Sequence, residues 1–509
     1  MIFLKKWKNN VEKKPLIVTG ARQTGKTTSI REFGKNYSSF IEINFLLNPI
    51  YKNIINNNYE TSEIIKEISL INPKSKFIAK DTLIFFDEIQ EFPDIMTALK
   101  SFFLDGRFDI ICSGSLLGVH YKKINSVPVG FKEDYIMHSL DFEEFMWAKG
   151  YTDEQIDELF NYMKKLEPLP AGYLIKLREL FRDYLFVGGM PEAVNSFVVS
   201  GLFSNAFKIQ KHIFKDYEDD ITKYVEGLDY AKVVNVYRHI TSQLSKDNHK
   251  FQISKLSHGA RNREYFGVEE WLKDAGIINI CYNIKQLGYP LSAYEMDDHF
   301  RIYFADHSLF ISSLDEESKE DLIANDNFDL LNGALYESLV SEALVKAGYS
   351  THFYKNDKEN IELDFVIRVK NEIIPIEVKK KNGRTISLNT VIKNGTCKFG
   401  VKLIDGNIGY DGHKFTFPYF LSFLLKRFFS ETDYINWEKK WWVIIMIKQF
   451  SYVEIKEDKN FITPKRQVKK GSRGYVVDIA TNSLGKIGYL VEIDNKIFDF
   501  VESELIVIK

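Results

Sequence analysis

Residues 15–30, PLIVTGARQTGKTTSI, constrain the fold more than any other stretch, because a complete G-x-x-x-x-G-K-[ST] loop runs there from Gly20 to Thr27. Leu16, Ile17 and Val18 form a short apolar run, as a strand buried in a parallel sheet requires. Gly20 and Gly25 carry no Cβ, so the backbone can turn until consecutive N–H groups face one concavity. A helix that begins near Gly25 aims its positive dipole end at the same place, and the concavity suits a polyphosphate. The spacing therefore predicts a strand, an anion-binding turn made of Gly20, Ala21, Arg22, Gln23, Thr24, Gly25, Lys26, Thr27 and Thr28, and then a helix. Lys26 would reach the β- and γ-phosphates and Thr27 would place its hydroxyl on Mg²⁺, so ATP and Mg²⁺ are the expected cofactors. The bland alternative is a Gly-rich turn without a ligand, and the flanking strand and helix argue against it.

A second signal follows at Leu83-Ile84-Phe85-Phe86-Asp87-Glu88, an apolar strand that ends in two acids. In this Walker B pattern Asp87 would hold Mg²⁺ through water. Glu88 would polarise the attacking water, which gives hydrolysis rather than binding alone. A third run, Phe108 to Ile111, leads into Cys112-Ser113-Gly114-Ser115, where a neighbouring strand would bring Ser113 or Ser115 near the γ-phosphate. A plain strand-to-turn serine is the competing reading.

Together GARQTGKTT, LIFFDEIQ, IICSGSLLG, LDFEEF and YLFVGGMPEAV (184–194) resemble the bacterial and archaeal AAA-type ATPases that carry a C-terminal domain of unknown function. The order and spacing match over residues 1–430. Members of that family commonly have Gly-Arg shortly before the equivalent of Leu140-Asp141-Phe142, whereas here Gly130 is followed by Phe131 and Lys132. No arginine finger is assigned for that reason. Arg22 matches the family's usual residue within the loop, and the resemblance puts it within reach of phosphate.

The chain has 509 residues, enough for about three to four domains of ordinary size. A hydrophobic content of 45% with 27% charged residues belongs to a soluble globular chain rather than a disordered one. The net charge of −2 is neutral on the question of nucleic acid, because a local basic face can hide in a balanced whole. Cys112, Cys281 and Cys397 are far apart and form no C-x-x-C pair, which argues against a disulfide framework or a zinc site. The N-terminus lacks the apolar core of a signal peptide, and no apolar run approaches the ~20 residues of a spanning helix. A cytoplasmic protein with no membrane partner is expected.

Strand and helix signals alternate over residues 1–128, the pattern of a parallel α/β core with its ligand at the strand C-termini. Residues 129–205 then read as a helical lid, with 3.6-type spacing in 153–166 and 174–185 and a breaker cluster at Gly188-Gly189-Met190-Pro191. Residues 206–325 read as further helices and a winged helix, built from 251–257, 261–265, 268–275 and the strand 277–282. Such a module can place Arg261, Arg263 and Lys273 against a duplex, or can pack against protein.

A second constellation occupies 326–430. Glu337 lies in the helical segment LLNGALYESLVSEALVKAG, Asp364 in IELDFVIRV, and Glu377 and Lys379 in IIPIEVK. This resembles the PD-(D/E)XK nuclease core. Glu377 and Lys379 are two apart on a strand and share a face, and Asp364 on a neighbouring strand can converge with them. Glu337, Asp364 and Glu377 would offer hard oxygens to Mg²⁺, and Lys379 would position water or stabilise developing charge. Glu362 shares the face of Asp364 as a further or outer ligand. The competing reading is an edge strand with its charges in water.

Residues 446–509 change character to short strands at 452–455, 474–479, 488–493 and 505–508, which suggests an SH3-like barrel. Lys465, Arg466, Lys469, Lys470 and Arg473 would form a basic rim or simply a solvated loop. Met446 opens this pattern, as a separate reading frame fused to the ATPase would. The whole is expected to be a multidomain α/β protein, a Mg²⁺-dependent ATPase coupled to a nuclease-like domain that engages DNA. Two alternatives stand beside it: a nucleotide-switched DNA-binding or regulatory protein with a silent nuclease-like domain, and an ATP-stabilised adaptor for protein partners. A protein partner at the barrel and a homo-oligomer both stay open.

Overall fold

The computed structural model describes the chain except for residues 56–57, 116–127, 226–227, 246–250, 257–261, 266, 326–331, 380–382, 433, 435–451, 456–458, 462–465, 482–486, 495, 501–504 and 509. Two compact units divide it, one of Met1–Gly409 with Lys414–Lys426 and the other of Tyr410–His413 with Arg427–Lys509.

In the first unit, β1 (Leu16–Gly20), β2 (Ser39–Asn44), β3 (Thr82–Asp87), β4 (Asp109–Ser115) and β5 (Glu133–Ile136) form a parallel sheet in the order β2-β3-β4-β1-β5. Alternation splits the strands' apolar residues between two faces. Ile17, Ile84, Phe86 and Ile110 pack on one side with Leu99 and Phe102, while Leu16, Val18, Leu83, Phe85 and Ile111 pack on the other with Ile30 and Phe33. Burial on both faces explains why β1 and β3 are apolar runs rather than alternating ones. The parallel strands bring Gly20, Asn44, Asp87 and Ser113 to one edge of the sheet. Strand β5 lies beyond residue 128, where the sheet was expected to end, and it pairs with β1 from Leu16↔Glu133 to Thr19↔Ile136.

Helices Phe142–Ala148, Asp153–Lys165, Ala171–Val187, Pro191–Ser200, Phe203–Tyr224 and Tyr230–Leu244 follow. Asp141 and Glu144 form a reciprocal capping box at the first of them. Gly188, at φ 68°, stops the helix Ala171–Val187, and a Cβ on Gly189 would stand 2.0 Å from the Leu140 carbonyl oxygen. The breaker cluster is thus a close backbone approach. Within 251–257, read from the sequence as a helix, the described residues 251–256 form only the 3₁₀ turn Ile253–Lys255, because Phe251 donates to the Phe300 carbonyl and Gln252 to the Gln243 side chain. A short helix, Val268–Asp274, comes next. Arg261 lies outside the described residues, as does the side chain of Arg263.

A second, mixed sheet contains β6 (Ile278–Ile284), β7 (Glu295–Phe304), β8 (His352–Asn356), β9 (Ile361–Val369), β10 (Glu372–Lys379), β11 (Gly400–Ile404) and the strand Lys414–Pro418. Its order from one edge is β7-β6-β8-β9-β10-β11 and then Lys414–Pro418. The boundary expected at 325/326 is crossed by this sheet, because β6 pairs in parallel with β8 at Tyr282↔His352 and Asn283↔Phe353. Pairing satisfies backbone groups of β6 that a free hairpin would leave open. Helices Asn332–Lys346 and Ile386–Lys393 pack on the sheet.

The second unit holds an antiparallel sheet in the order Lys496–Phe500, Ile487–Ile493, Arg473–Thr481, Tyr452–Ile455, Leu505–Ile508, together with a hairpin of Lys459–Phe461 and Arg466–Val468. Val476, Val491 and Phe500 are buried, and Lys469, Lys470 and Arg473 are exposed. Lys465 and Met446 lie outside the described residues, as does the side chain of Arg466. Among the described residues, no helix is long and apolar enough to cross a membrane.

Candidate active sites

The loop after β1 turns under tight steric control. A Cβ on Gly20 would lie 2.2 Å from the Met137 carbonyl oxygen, so only glycine lets the segment after β5 pass this close. Gly25, in the left-handed region at φ 88°, reverses the chain into the helix Lys26–Gly34. The Lys26 ammonium donates to the carbonyls of Gly20 (3.0 Å) and Ala21 (2.7 Å). Burial lowers its pKa to about 8 and Arg22 adds to the effect, while Glu88 and Asp87 oppose it.

Asp87 ends β3 almost fully buried, and four donors converge on its carboxylate. Thr27 Oγ1 lies 3.2 and 3.3 Å from its two oxygens, Asn44 Nδ2 is 3.1 Å away, the Glu88 amide is 3.1 Å away, and the Ser113 hydroxyl also donates. Ser113, rather than Ser115, therefore belongs to this cluster, and the buried Ser115 hydroxyl makes no hydrogen bond. Glu88 has a left-handed backbone, φ 56°, and accepts from the Gln90 amide. The hydroxyl of Thr27 beside the carboxylate of Asp87 is a set of hard oxygens that fits Mg²⁺.

A cleft of about 750 Å³ is lined by Arg22, Gln23, Gly25, Lys26, Thr27, Thr28, Asp87, Glu88 and Ser113. Ala21 and Thr24 face a separate cavity, and Gly20 lines neither. Pro191, Glu192 and Asn195 complete the cleft from the helix Pro191–Ser200, within the segment read as the lid, although none of the three stood out from the sequence as a cleft residue. Beside the same P-loop helix, Ser29 and Ile30 line a smaller pocket of about 190 Å³ with Phe3, Tyr135, Asp141 and Glu144. Phe3 and Tyr135 stack there at 4.1 Å, and burial pushes both carboxyls above their ordinary range.

The helix Phe203–Tyr224 grips the outer side of the loop. Its Asp220 pairs with Arg22 Nε at 2.7 Å, its Asp216 accepts from Gln23 at 2.7 Å, and its Tyr217 hydroxyl donates to the Arg22 carbonyl at 2.9 Å. Burial raises the Asp220 carboxyl to about 6 against the pull of Arg22.

The second constellation assembles on β9 and β10. Lys379 Nζ lies 3.1 Å from Asp364 Oδ2 and 3.8 Å from Glu377 Oε2, so the three side chains share one face. Asp364 also accepts from the Val378 amide at 2.8 Å, and Glu377 Oε1 from the Leu388 amide at 3.0 Å. Glu377 Oε2 is buried without a hydrogen-bond partner, an orphaned oxygen that a cation would satisfy. Burial pushes Glu377 up to about 7, and burial with the charge of Glu337 raises Asp364. Although burial opposes its charge, Lys379 is held above the usual lysine range by Asp364 and then Glu377.

Glu337, the expected third ligand, stands near enough for its charge to act on Asp364 and Lys379, and its Oε2 is already hydrogen-bonded. Arg301 Nη1 (3.3 Å) and the Tyr303 hydroxyl (2.9 Å), both from β7, donate to Glu337 Oε2. Glu362 is likewise bound by Arg301 (2.6 Å) and Lys355 (2.7 Å). Among the described residues, the trio of metal-capable side chains that lies within 4.8 Å is Asp306, His307 and Glu342, not Glu337, Asp364 and Glu377. That trio is already satisfied. Glu342 accepts from the His307 amide and ring and from Lys346, and Asp306 accepts from the amides of Gly189 and Ser308.

Comparison with known proteins assigns the regions. Residues 12–146 match the family model of an AAA domain, and residues 178–320 and 332–414 match two domains of unknown function, DUF8612 and DUF4143. The N-terminal region is thus an AAA-type P-loop ATPase domain. A search of curated proteins gives no significant match. Among solved structures, the chain is similar to a Walker-type ATPase of Pyrococcus abyssi at 14% identity, over 61% of this chain and 94% of that one, with a TM-score of 0.38. It is also similar to PCH-2 of C. elegans (13% identity, 38% and 57% covered, TM-score 0.20) and to Drosophila ORC bound to DNA (11%, 64% and 94%, 0.24). Scores this low carry no functional reading across.

Proposed function

We propose that the chain is a Mg²⁺-dependent ATPase whose nucleotide cycle is coupled to a nuclease-like domain that acts on DNA in the cytoplasm. The observation that carries the ATPase half is the meeting of Thr27, Ser113 and the Glu88 amide on the single carboxylate of Asp87, with Lys26 in the same cleft. In this reading Lys26 and the loop amides bind the β- and γ-phosphates, and Thr27 and Asp87 hold Mg²⁺, which neutralises phosphate charge. Glu88 orients the attacking water and Ser113 fixes the Asp87 carboxylate. The base end of the nucleotide lodges beside Ser29, Ile30 and Tyr135. Residues 129–205 serve as the lid and 206–325 as a winged-helix region.

For the second half, Asp364 and Glu377 hold one divalent ion, and Lys379 stabilises charge that develops on the scissile phosphate. The orphaned Glu377 oxygen supports this assignment. A second reading, in which the nuclease-like domain is silent and serves to bind DNA, is favoured by the capture of Glu337 by Arg301 and Tyr303. The C-terminal strands, as a small barrel, would present a partner-binding surface in either case. Incubation with ATP, Mg²⁺ or Mn²⁺ and several DNA forms tests the proposal. Phosphate release with metal-dependent strand scission supports the first reading, phosphate release with DNA binding alone supports the second, and absence of phosphate release overturns both.

A further inference from the structure

Gln90 lines the nucleotide cleft together with Glu88, and the short turn between them explains how both reach it. Glu88 leaves β3 with a left-handed backbone, φ 56°, and opens the 3₁₀ turn Ile89–Glu91. The Glu91 amide donates to the Glu88 carbonyl at 2.9 Å and the Phe92 amide to the Ile89 carbonyl at 3.0 Å. Ile89, only 1% exposed, is anchored in the core cluster that contains Phe45, Phe86 and Ile95. One apolar side chain therefore pins the turn in the core, while the residues on either side of it line the cleft. A left-handed backbone at a glutamate carries a conformational cost, of the kind that gathers where a side chain must be aimed.

Across this turn the side-chain amide of Gln90 donates to Glu88 Oε2. The reverse orientation of the amide would set its carbonyl oxygen against a carboxylate, two acceptors face to face. With the amide held this way, Gln90 Oε1 is buried without a hydrogen-bond partner. An unbonded buried acceptor costs stability, so the contact with Glu88 is kept at the expense of the fold. An amide also differs from a lysine or arginine in what it does to its partner. It fixes the direction of the carboxylate without bringing a charge, and so takes less basicity from it than an ion pair would. Polarising a water needs both direction and basicity.

We propose that Gln90 is a positioning residue that holds the Glu88 carboxylate toward the attacking water of ATP hydrolysis. This rests on the ATPase reading of the same cleft, with Glu88 as the residue that addresses the water. Gln90 acts through Glu88 and not on the nucleotide, so its loss shows in turnover rather than in binding.

The test is a double-mutant cycle on the full chain, with kcat, KM and ATP affinity measured for wild type, Gln90→Ala, Gln90→Met, Glu88→Gln and the variant that combines Gln90→Ala with Glu88→Gln. Gln90→Ala should lower kcat about tenfold and leave ATP affinity within about threefold. Gln90→Met keeps the length and volume of the side chain but has no donor, so it should be as slow as Gln90→Ala, whereas a packing role would be rescued by it. In the Glu88→Gln background, Gln90→Ala should cost less than about twofold, because the carboxylate it serves is gone. Circular dichroism and ADP binding show whether each variant is folded, and if Gln90→Ala does not fold the cycle is run with Gln90→Met. Gln90→Met at the wild-type rate would overturn this proposal and leave the ATPase reading intact. So would a loss carried by ATP affinity instead of kcat, or losses that simply add in the double variant. A Gln90 variant faster than wild type would overturn it as well, since the amide would then restrain Glu88 instead of placing it. A wild type that does not hydrolyse ATP would remove the ATPase reading and this proposal with it.

Discussion

The ammonium of Lys379 lies 3.1 Å from Oδ2 of Asp364, across two neighbouring antiparallel strands, β9 and β10. Glu377 stands on the same face, two residues before the lysine, and points its unbonded oxygen at the same region. Burial raises both carboxyls above their ordinary range beside the one ammonium, and a bound divalent ion would favour their ionised forms. A buried charge cluster with no catalytic or binding role would be a costly arrangement.

Substitution of this trio should separate the two activities. Asp364→Ala and Glu377→Ala each remove a metal oxygen, and Lys379→Ala removes a cation matched to charge in the transition state. Metal-dependent DNA cleavage should fall at least about a hundredfold in each, while phosphate release from ATP stays within about twofold. Cleavage that survives Asp364→Ala at the wild-type rate would move the scissile site elsewhere.

Glu377 should make stability depend on pH in a stated direction. Its folded pKa, about 7, stands above the usual carboxylate value because the site is buried. The folded chain therefore holds that proton more tightly than the unfolded one. The stabilisation is complete below the unfolded pKa and is lost as pH rises through about 7. In chelator-treated buffer, Glu377→Gln should gain on wild type between pH 5 and pH 8 by up to about 3 kcal/mol. Denaturant midpoints at both pH values measure this, and a gap that does not widen with pH would contradict it.

Gly189→Ala should damage the packing between the segment after β5 and the helices that follow. The added Cβ would meet the Leu140 carbonyl oxygen at 2.0 Å and Asp306 Oδ2 at 2.9 Å, neither at the end of a long flexible chain. A loss of about 3 kcal/mol is expected from an overpacked backbone contact of this kind. The same clash would strain the hydrogen bond that Leu140 N donates to the Gly189 carbonyl, now 2.8 Å. An unchanged urea midpoint would show that the approach is not structurally required.

What the sequence disclosed follows the range of the physics involved. The P-loop and the acids of β3 were legible because glycine spacing, strand period and helix start all act within a few residues. The choice between Ser113 and Ser115 was not legible, since both lie on one face of β4 and only the register with neighbouring strands separates them. Pro191, Glu192, Asn195 and Asp220 were missed as cleft or loop partners because they reach it from helices more than a hundred residues along the chain. The convergence of Asp364, Glu377 and Lys379 was readable from strand alternation. The hydrogen bonds to Glu337 were not, because Arg301 and Tyr303 come from β7, which joins this sheet only through the parallel pairing of β6 with β8.

The central claim, that Asp87 and Glu88 serve hydrolysis on a nucleotide bound by Lys26, is tested most directly by comparing ATP binding and phosphate release in wild type, Lys26→Ala and Glu88→Gln. Lys26→Ala removes a charge-assisted phosphate contact and should weaken ATP binding by about a hundredfold. Glu88→Gln keeps the shape of the site but loses the water-polarising carboxylate, so ATP affinity should stay within about threefold while turnover falls at least about fiftyfold. Equal phosphate release by wild type and Glu88→Gln would contradict the assignment.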